Sequence, residues 1–410
     1  MAQFCHNTST RNLCYEKGVF GSRESLYERR SFAADIARFE QLMKRLLCIV
    51  TNMNTGGAET FLMKIYRQLD RTKYQMDFCI CNQNHNFYED EIRQLGGVIY
   101  HLPQKTKHPF KYLQQFWKLL RLHPYTYVLR LGSTIFEIPD LYLAWLSGAK
   151  VRVFRSCNAS ANYPSYMLLL HRLLRRVLMA VVNIKIAPSD LAAQFTFGML
   201  NNVCILPNGL NADFFKFTAE NRKKIRQELN VQDKFVVGHV GRFNFQKNHK
   251  FLLQIFAEIK KLRPDAVLWL VGKGELENQI KDQVIQLHLQ DNVQFLGIRT
   301  DIPTLLSGMD LLIFPSLFEG MPNTVIEAQT NGLPCLIADT ITRQAKQTDL
   351  VHFVKLASAA KIWAKKAVEM ADMSEIDKRS LFANQMEIAG YEIQEVSKKF
   401  VKLVFRNAKE

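Results

Sequence analysis

Three turns between apolar strand-like runs and helical stretches carry residues that could grip an anion or a polyol. In open α/β sheets, ligands sit outside the carboxyl ends of strands, beside helix N-termini with free N–H groups. The first turn reads Asn54-Thr55-Gly56-Gly57-Ala58-Glu59-Thr60. Its two glycines allow the backbone to approach a ligand closely. A plain tight turn explains them too, and the pattern is not the G-x-G-x-x-G dinucleotide fingerprint. The second reads Gly241-Arg242-Phe243-Asn244-Phe245-Gln246-Lys247-Asn248. Two cations at the start of a helix suit a diphosphate, because fixed charge and free N–H groups add. The alternative is a solvated basic loop. The third runs from Phe314 to Ala328 and holds Glu319 in a loop and Glu327 in a helix starting near Asn323. Two such carboxylates can accept hydrogen bonds from hydroxyl groups. Against this, Thr324-x-x-Glu327 also reads as a capping box worth about 1 kcal/mol, and Glu319 as an exposed loop acid.

The elements that must position these turns alternate along the chain. Strands are predicted over 46–52, 75–81, 97–102, 126–131, 150–155, 183–187 and 203–206, with helices between them, for example over 58–69, 110–121 and 163–182. A second series follows the Pro207-Asn208-Gly209 turn and a charged stretch over 218–234, read together as a linker. Its strands fall over 235–240, 266–271, 292–296, 310–314 and 334–338, with a helix over 248–262, and 357–410 is helical. Strands separated by helices imply parallel sheets, so the fold class is α/β with two doubly wound domains. A length of 410 residues agrees with two or three domains. Hydrophobic residues make up 48% and charged residues 22%, which argues against long disorder. Regular patterning begins only at Met43, and 1–42 reads as a poorly ordered extension.

The eight cysteines form no C-x-x-C pair, so free thiols in a reducing, cytoplasmic setting are expected. The net charge of +16 suits nucleic acid, an anionic membrane or phosphorylated substrates. No nucleic-acid motif supports the first. The sequence has no 18-residue apolar run and no apolar core typical of a signal peptide. Asp-x-Asp, a common metal-diphosphate ligand, is absent.

Gly56-Gly57-Ala58-Glu59, Gly238-His239-Val240-Gly241-Arg242-Phe243 with Lys247-Asn248, Val271-Gly272-Lys273-Gly274-Glu275, Phe295-Leu296-Gly297, Glu319 with Glu327, Ala328-Gln329 and Gly332-Leu333-Pro334 follow one another in this order. As a set they resemble the retaining glycosyltransferases of family 4, which have the GT-B fold, and most nearly its capsule, exopolysaccharide and lipopolysaccharide group. The resemblance covers about 43–410. It implies two Rossmann-like domains facing a central cleft. Residues 43–206 would bind the acceptor, 207–388 a nucleotide sugar, expected as a uridine diphosphate sugar, and 389–410 would return to the first domain. Arg242 and Lys247 would hold the diphosphate, beside Gly241. Glu319 would hold sugar hydroxyls and Glu327 the ribose. Gly320, Met321, Asn323 and Thr324 would line the donor site, Gly56 and Gly57 would cap it, and Arg299 would lie near the base. Catalysis would rest on Glu319, Arg242 and Lys247, with no cofactor or metal. Attack would come from the face the leaving phosphate occupies, and that phosphate would take the acceptor's proton.

One departure stands out. Many relatives carry histidine before the Gly-Ser turn and in a His-Ser-His-Asn stretch. Here these read Leu129-Arg130-Leu131-Gly132-Ser133 and Arg155-Ser156-Cys157-Asn158. Arginine cannot act as a base, but it can bind an anion. Ser133, Arg155 and Asn158 are therefore expected on the acceptor side. His239 reads as a satisfied buried histidine. Residues 165–186 form a basic, apolar helical stretch with no acid, which suits either a core helix or the inner face of an anionic plasma membrane and a lipid-linked or oligosaccharide acceptor. Two other readings compete: a relative that binds nucleotide sugar without turnover, and a nucleotide-sugar epimerase of similar fold.

Overall fold

The computed structural model describes residues 43–54, 56–373 and 375–405. The expected extension over 1–42 lies outside the described residues. Two parallel sheets dominate. The first holds β1 (Lys44–Val50), β2 (Tyr74–Ile80), β3 (Ile99–His101), β4 (Tyr127–Gly132), β5 (Val151–Ser156), β6 (Ile184–Ala187) and β7 (Val203–Ile205). Its order is β3-β2-β1-β4-β5-β6-β7. The second holds β8 (Phe235–Val240), β9 (Ala266–Val271), β10 (Val293–Gly297), β11 (Leu311–Phe314), β12 (Cys335–Ala338) and β13 (Val351–Val354), in the order β10-β9-β8-β11-β12-β13. From Arg45 on, the chain clusters as one unit, so both sheets belong to it.

Side-chain alternation explains why β1 is apolar throughout. Leu46, Cys48 and Val50 point into one core, and Leu47 and Ile49 into another on the opposite face. Helices cover both faces, as parallel sheets require. The second sheet is built alike around Val236, Val237, Leu268, Trp269, Leu312 and Ile313, all fully buried. All predicted strands form within two residues of their expected bounds. β13 was not foreseen: His352 interrupts its four residues, so no continuous apolar run marks it.

The stretch expected as a charged linker is folded instead. Helix Ala219–Glu228 starts at Thr218, whose hydroxyl accepts from the Asn221 N–H at 3.1 Å. Arg222 and Arg226 grip Asp310 at 2.5 and 3.1 Å, just before β11. Their charge is neutralised there rather than solvated, which is why composition alone misread them.

The chain passes between the sheets twice, and the two crossings pair. Leu210 N–H donates to Tyr391 O at 2.8 Å and Ile393 N–H donates to Leu210 O at 2.9 Å. Gly209 has φ +62, and a Cβ there would press on Ile393. Helix Ile393–Phe405 then lies on the first sheet. It buries Ile393, Val396, Phe400, Val404 and Phe405 in that sheet's core. At 1.5–3 kcal/mol per side chain, this clasp contributes on the order of 10 kcal/mol.

Helix Ser165–Leu178 is turned the other way. Tyr166, Leu169, Leu170, Leu173, Leu174 and Val177 recur at i, i+3, i+4, i+7, i+8 and i+11, and all six are exposed. The fully buried member is His171, which accepts from Ile135 N–H at 3.3 Å and meets Phe195 O at 2.9 Å. Arg175 and Arg176 reach back to carbonyls of residues 194–198, while Arg172 is exposed to solvent. Among the described residues no helix is long and apolar enough to cross a membrane.

Phe400 is fully buried, with its ring 6.0 Å from that of Phe61. Phe400→Ala is expected to cost about 3 to 5 kcal/mol, read as a fall in the denaturant midpoint.

Candidate functional site

Strand order reverses between β8 and β11, so the loops leaving their carboxyl ends part and open a crevice. The loop after β8 carries Gly241–Asn248 and the loop after β11 carries Pro315–Pro322. Backbone and amide contacts bind the two loops together. Gln246 Nε2 donates to Phe318 O at 2.9 Å, Leu317 N–H donates to Gln246 O at 2.8 Å, and Asn248 Nδ2 donates to Pro315 O at 3.1 Å. Asn248 takes φ +55, a left-handed conformation that asparagine tolerates. The result is an ion pair between Lys247 Nζ and Glu319 Oε1 at 2.7 Å, with both side chains largely buried. Lys247 Nζ also lies 4.5 Å from the Phe314 ring centre. Gly241 makes this possible: a Cβ there would stand 3.0 Å from Lys247 Cε.

Beneath the lysine lie His239 and His249, with ring centres 4.8 Å apart. Burial pushes His239 down to about 4 and His249 to about 2. Both stay neutral near pH 7 and leave the Lys247 charge unopposed. His239 Nδ1 meets Ile313 O at 2.9 Å, but among the described residues Nε2 has no partner, so the histidine expected to be satisfied is only half so. Arg242 is exposed and paired with Glu275 at 3.1 Å. Arg299 is held by Asp301 at 2.6 Å and Glu228 at 3.2 Å, and among the described residues no hydrogen bond or ion pair joins it to this loop cluster.

Helix Asn323–Thr330 begins after Pro322. The capping box does not form. Thr324 Oγ1 donates to Val240 O at 3.3 Å, and Glu327, the helix's fifth residue, pairs with Lys64 Nζ at 3.6 Å. Lys64 stands on helix Gly57–Gln68, over the first sheet, so the pair bridges the two sheets. Lys64, Asn208, Met321, Asn323, Glu327 and Tyr391 line one pocket.

The first sheet offers its own switch point, between β1 and β4. The glycine turn follows β1, and a Cβ on Gly57 would lie 3.4 Å from Asn323 Nδ2. Gly320 abuts the carbonyl of Cys157, leaving no room for a Cβ. Ser189 Oγ donates to Gly320 O, and Asp190 N–H donates to Gln344 Oε1 at 2.8 Å. Asn158 N–H donates to Ser133 Oγ at 3.1 Å, and both residues are half-buried. Arg155 has a different setting from the one expected: it is 1% exposed, over the Phe61 ring, and donates to Asn208. The structure thus brings Gly57, Gly320, Met321, Asn323 and Glu327 together across the lobes, and Lys247 with Glu319. Glu59, Lys64, Ser189, Asn208 and Gln344 were not foreseen at the site. Glu59 and Asn208 sat inside quoted turns, but nothing in the pattern flagged the other three. Among the described residues, no three His, Cys, Asp or Glu side chains form a metal-sized cluster.

Glu59, in the first turn of its helix, is pushed up from 4.5 to about 6 by burial, although the Arg242 charge draws it back. A raised carboxyl means the folded state holds the proton more tightly. This contribution to stability is therefore full below about pH 4.5 and is lost as pH rises through 6. Glu59→Gln is expected to stabilise the protein by about 1 to 2 kcal/mol at pH 7.5 and not at pH 4, measured by urea unfolding at both pH values.

Comparison with known proteins agrees with this architecture. The family described as "Glycosyl transferases group 1" matches residues 221–347. The putative glycosyltransferase EpsF of Bacillus subtilis is 32% identical over 366 residues, covering 86% of this chain and 94% of its own. An Escherichia coli UDP-Gal:alpha-D-GlcNAc-diphosphoundecaprenol alpha-1,3-galactosyltransferase is 36% identical over 146 residues, covering 33% of this chain and 36% of its own. The structure of Anabaena HepE in complex with UDP-glucose superposes with a TM-score of 0.71 at 18% identity, covering 88% of this chain and 99% of that one. With two facing parallel sheets and a relative that matches along nearly its whole length, the chain belongs to the group 1 glycosyltransferases and has the GT-B fold.

Proposed function

We propose that this glycosyltransferase moves a sugar from a uridine diphosphate sugar, with retention and without a metal, to a lipid-linked or growing glycan acceptor of a bacterial surface polysaccharide. The observation that carries the reading is the Lys247–Glu319 pair at the β8/β11 switch point. Breaking the bond between sugar C1 and the β-phosphate oxygen leaves negative charge on the diphosphate. Lys247, Arg242 and the free N–H groups opening helix Asn323–Thr330 are fixed positive groups that can stabilise it. Glu319 accepts from sugar hydroxyls, and each hydroxyl so bound releases Lys247 toward phosphate. Glu327 accepts from the ribose, in exchange for Lys64. The acceptor oxygen attacks C1 from the face the phosphate is leaving, and its proton passes to that phosphate. Gly57 and Gly320 keep the backbone close enough to exclude water. The uridine nucleotide is supported by HepE, solved with UDP-glucose, and by the E. coli relative, named for UDP-Gal and a diphosphoundecaprenol acceptor.

A thermal-shift screen of nucleotide sugars identifies the donor, since a ligand of the native state raises stability by RT ln(1 + [L]/Kd). With that donor and an undecaprenyl-diphosphate-sugar acceptor, Lys247→Ala and Glu319→Gln are each expected to lower kcat by about 10²-fold or more. EDTA is expected to change nothing. A wild-type protein that neither binds nor turns over any nucleotide sugar would sink the reading. Activity abolished by EDTA and restored by Mg²⁺ would remove its metal-free part.

A lipid-linked acceptor calls for a membrane contact. The outward apolar stripe of helix Ser165–Leu178, with Arg172 beside it and no acid between Pro164 and Pro188, suits the surface of an anionic bilayer. The double variant Arg172→Glu/Leu173→Gln is expected to cut sedimentation with phosphatidylglycerol vesicles several-fold and to leave the melting temperature alone. Equal sedimentation of both proteins would dispose of the membrane contact.

A further inference from the structure

Arg155, near the end of β5, is a buried cation without a counter-ion. Its side chain is fully enclosed, its guanidinium centre lies 3.7 Å from the Phe61 ring centre, and among the described residues Nε has no partner. Among the described residues no carboxylate pairs with it. Burial pushes its pKa down to about 10, so it remains charged at neutral pH. An unpaired buried charge costs the fold several kcal/mol. Packing alone would be better served by an apolar side chain.

The hydrogen bond it makes shows what the charge does. Arg155 Nη2 donates to Asn208 Oδ1, and Asn208 Nδ2 donates to Asn323 Oδ1. Arginine has five N–H donors and no acceptor. The Asn208 atom facing it must therefore be oxygen, and the atom facing Asn323 must be the amide nitrogen. Asn323 must in turn offer its oxygen to Asn208. Its own NH₂ group then points the other way, toward the glycine turn, where a Cβ on Gly57 would come within 3.4 Å. Among the described residues nothing accepts from Asn323 Nδ2. A histidine in place of Arg155 could present either a donor or an acceptor, so the polarity of the chain would depend on its tautomer.

We propose that Arg155 is a positioning residue: acting through Asn208, it locks the Asn323 amide with its N–H groups facing the cleft, where they donate to a phosphate oxygen of the nucleotide donor. The proposal rests on the donor reading above. It adds a phosphate contact from a side chain at the start of helix Asn323–Thr330, and it accounts for a charge buried in the opposite lobe.

The test compares how tightly the full chain binds UDP and uridine by calorimetry, with GDP and guanosine run in parallel. The ratio of the two dissociation constants isolates contacts to the diphosphate. In Asn208→Asp the new side chain has acceptors only. It can pair with Arg155 but cannot donate to Asn323. The melting temperature is expected to hold or rise, because the buried cation gains a counter-ion, while the UDP-over-uridine preference falls about tenfold. Arg155→Lys, also a donor without an acceptor, is expected to keep most of the preference, and Arg155→Met to lose it. A merely structural role predicts the opposite pattern, with Arg155→Met unstable and the preference of Asn208→Asp intact. Wild-type preference in a folded Asn208→Asp protein would overturn the proposal. A wild-type protein that prefers neither UDP over uridine nor GDP over guanosine would instead overturn the donor reading, and this proposal with it.

Discussion

Parallel strands, buried on both faces, are the constraint from which the rest follows. A strand such as β9, with all six residues buried, has no room for a reactive side chain along its length. Polar chemistry is pushed to the loops at the carboxyl ends. Those loops diverge only where strand order reverses, and each sheet has one such place. Lys247 and Glu319 come from the two loops of one reversal, and the glycine turn comes from a loop of the other. The site is thus a consequence of winding order more than of any single motif.

Electrostatics within the crevice follow from burial. The two histidines under Lys247 are kept neutral by desolvation, so the lysine's ammonium meets an aromatic face and one charged partner, Glu319. On the other side, Lys64 holds Glu327 from across the lobes. Each carboxylate expected to read hydroxyls is therefore paired with an ammonium, one from its own lobe and one from the opposite lobe. In the proposed donor complex, hydroxyls would have to replace contacts that are already satisfied, which would favour a ligand that brings hydroxyls and negative charge together.

Much of this was legible in the residues. The apolar runs of β8 and β9 fix their ends to the residue, because a polar or glycine turn follows each. The grouping of the three turns was legible too, since glycine, cations and carboxylates stand there in compact groups, and the structure sets Lys247 against Glu319 and Gly57 near Asn323. What escaped was whatever depends on contact between distant segments. The stretch 218–234 looked like solvent-facing charge because its partner, Asp310, lies beyond three intervening strands. Lys64 looked like one more helix lysine until Glu327 was placed opposite it. Arg155 was legible as a departure, but its burial over Phe61 and its line through two asparagines exist only in three dimensions.

The paired crossings have a mechanical consequence. Leu210 and Ile393 are bonded backbone to backbone, so the two covalent links between the lobes lie side by side and behave as a single strap. Two separated links would forbid rotation, whereas a single strap permits swinging about one axis and resists sliding. Everything that spans the cleft away from that axis, from Lys64–Glu327 to Ser189–Gly320, must then part in one stroke. Gly209, in a left-handed conformation that suits glycine, stands directly beside that strap.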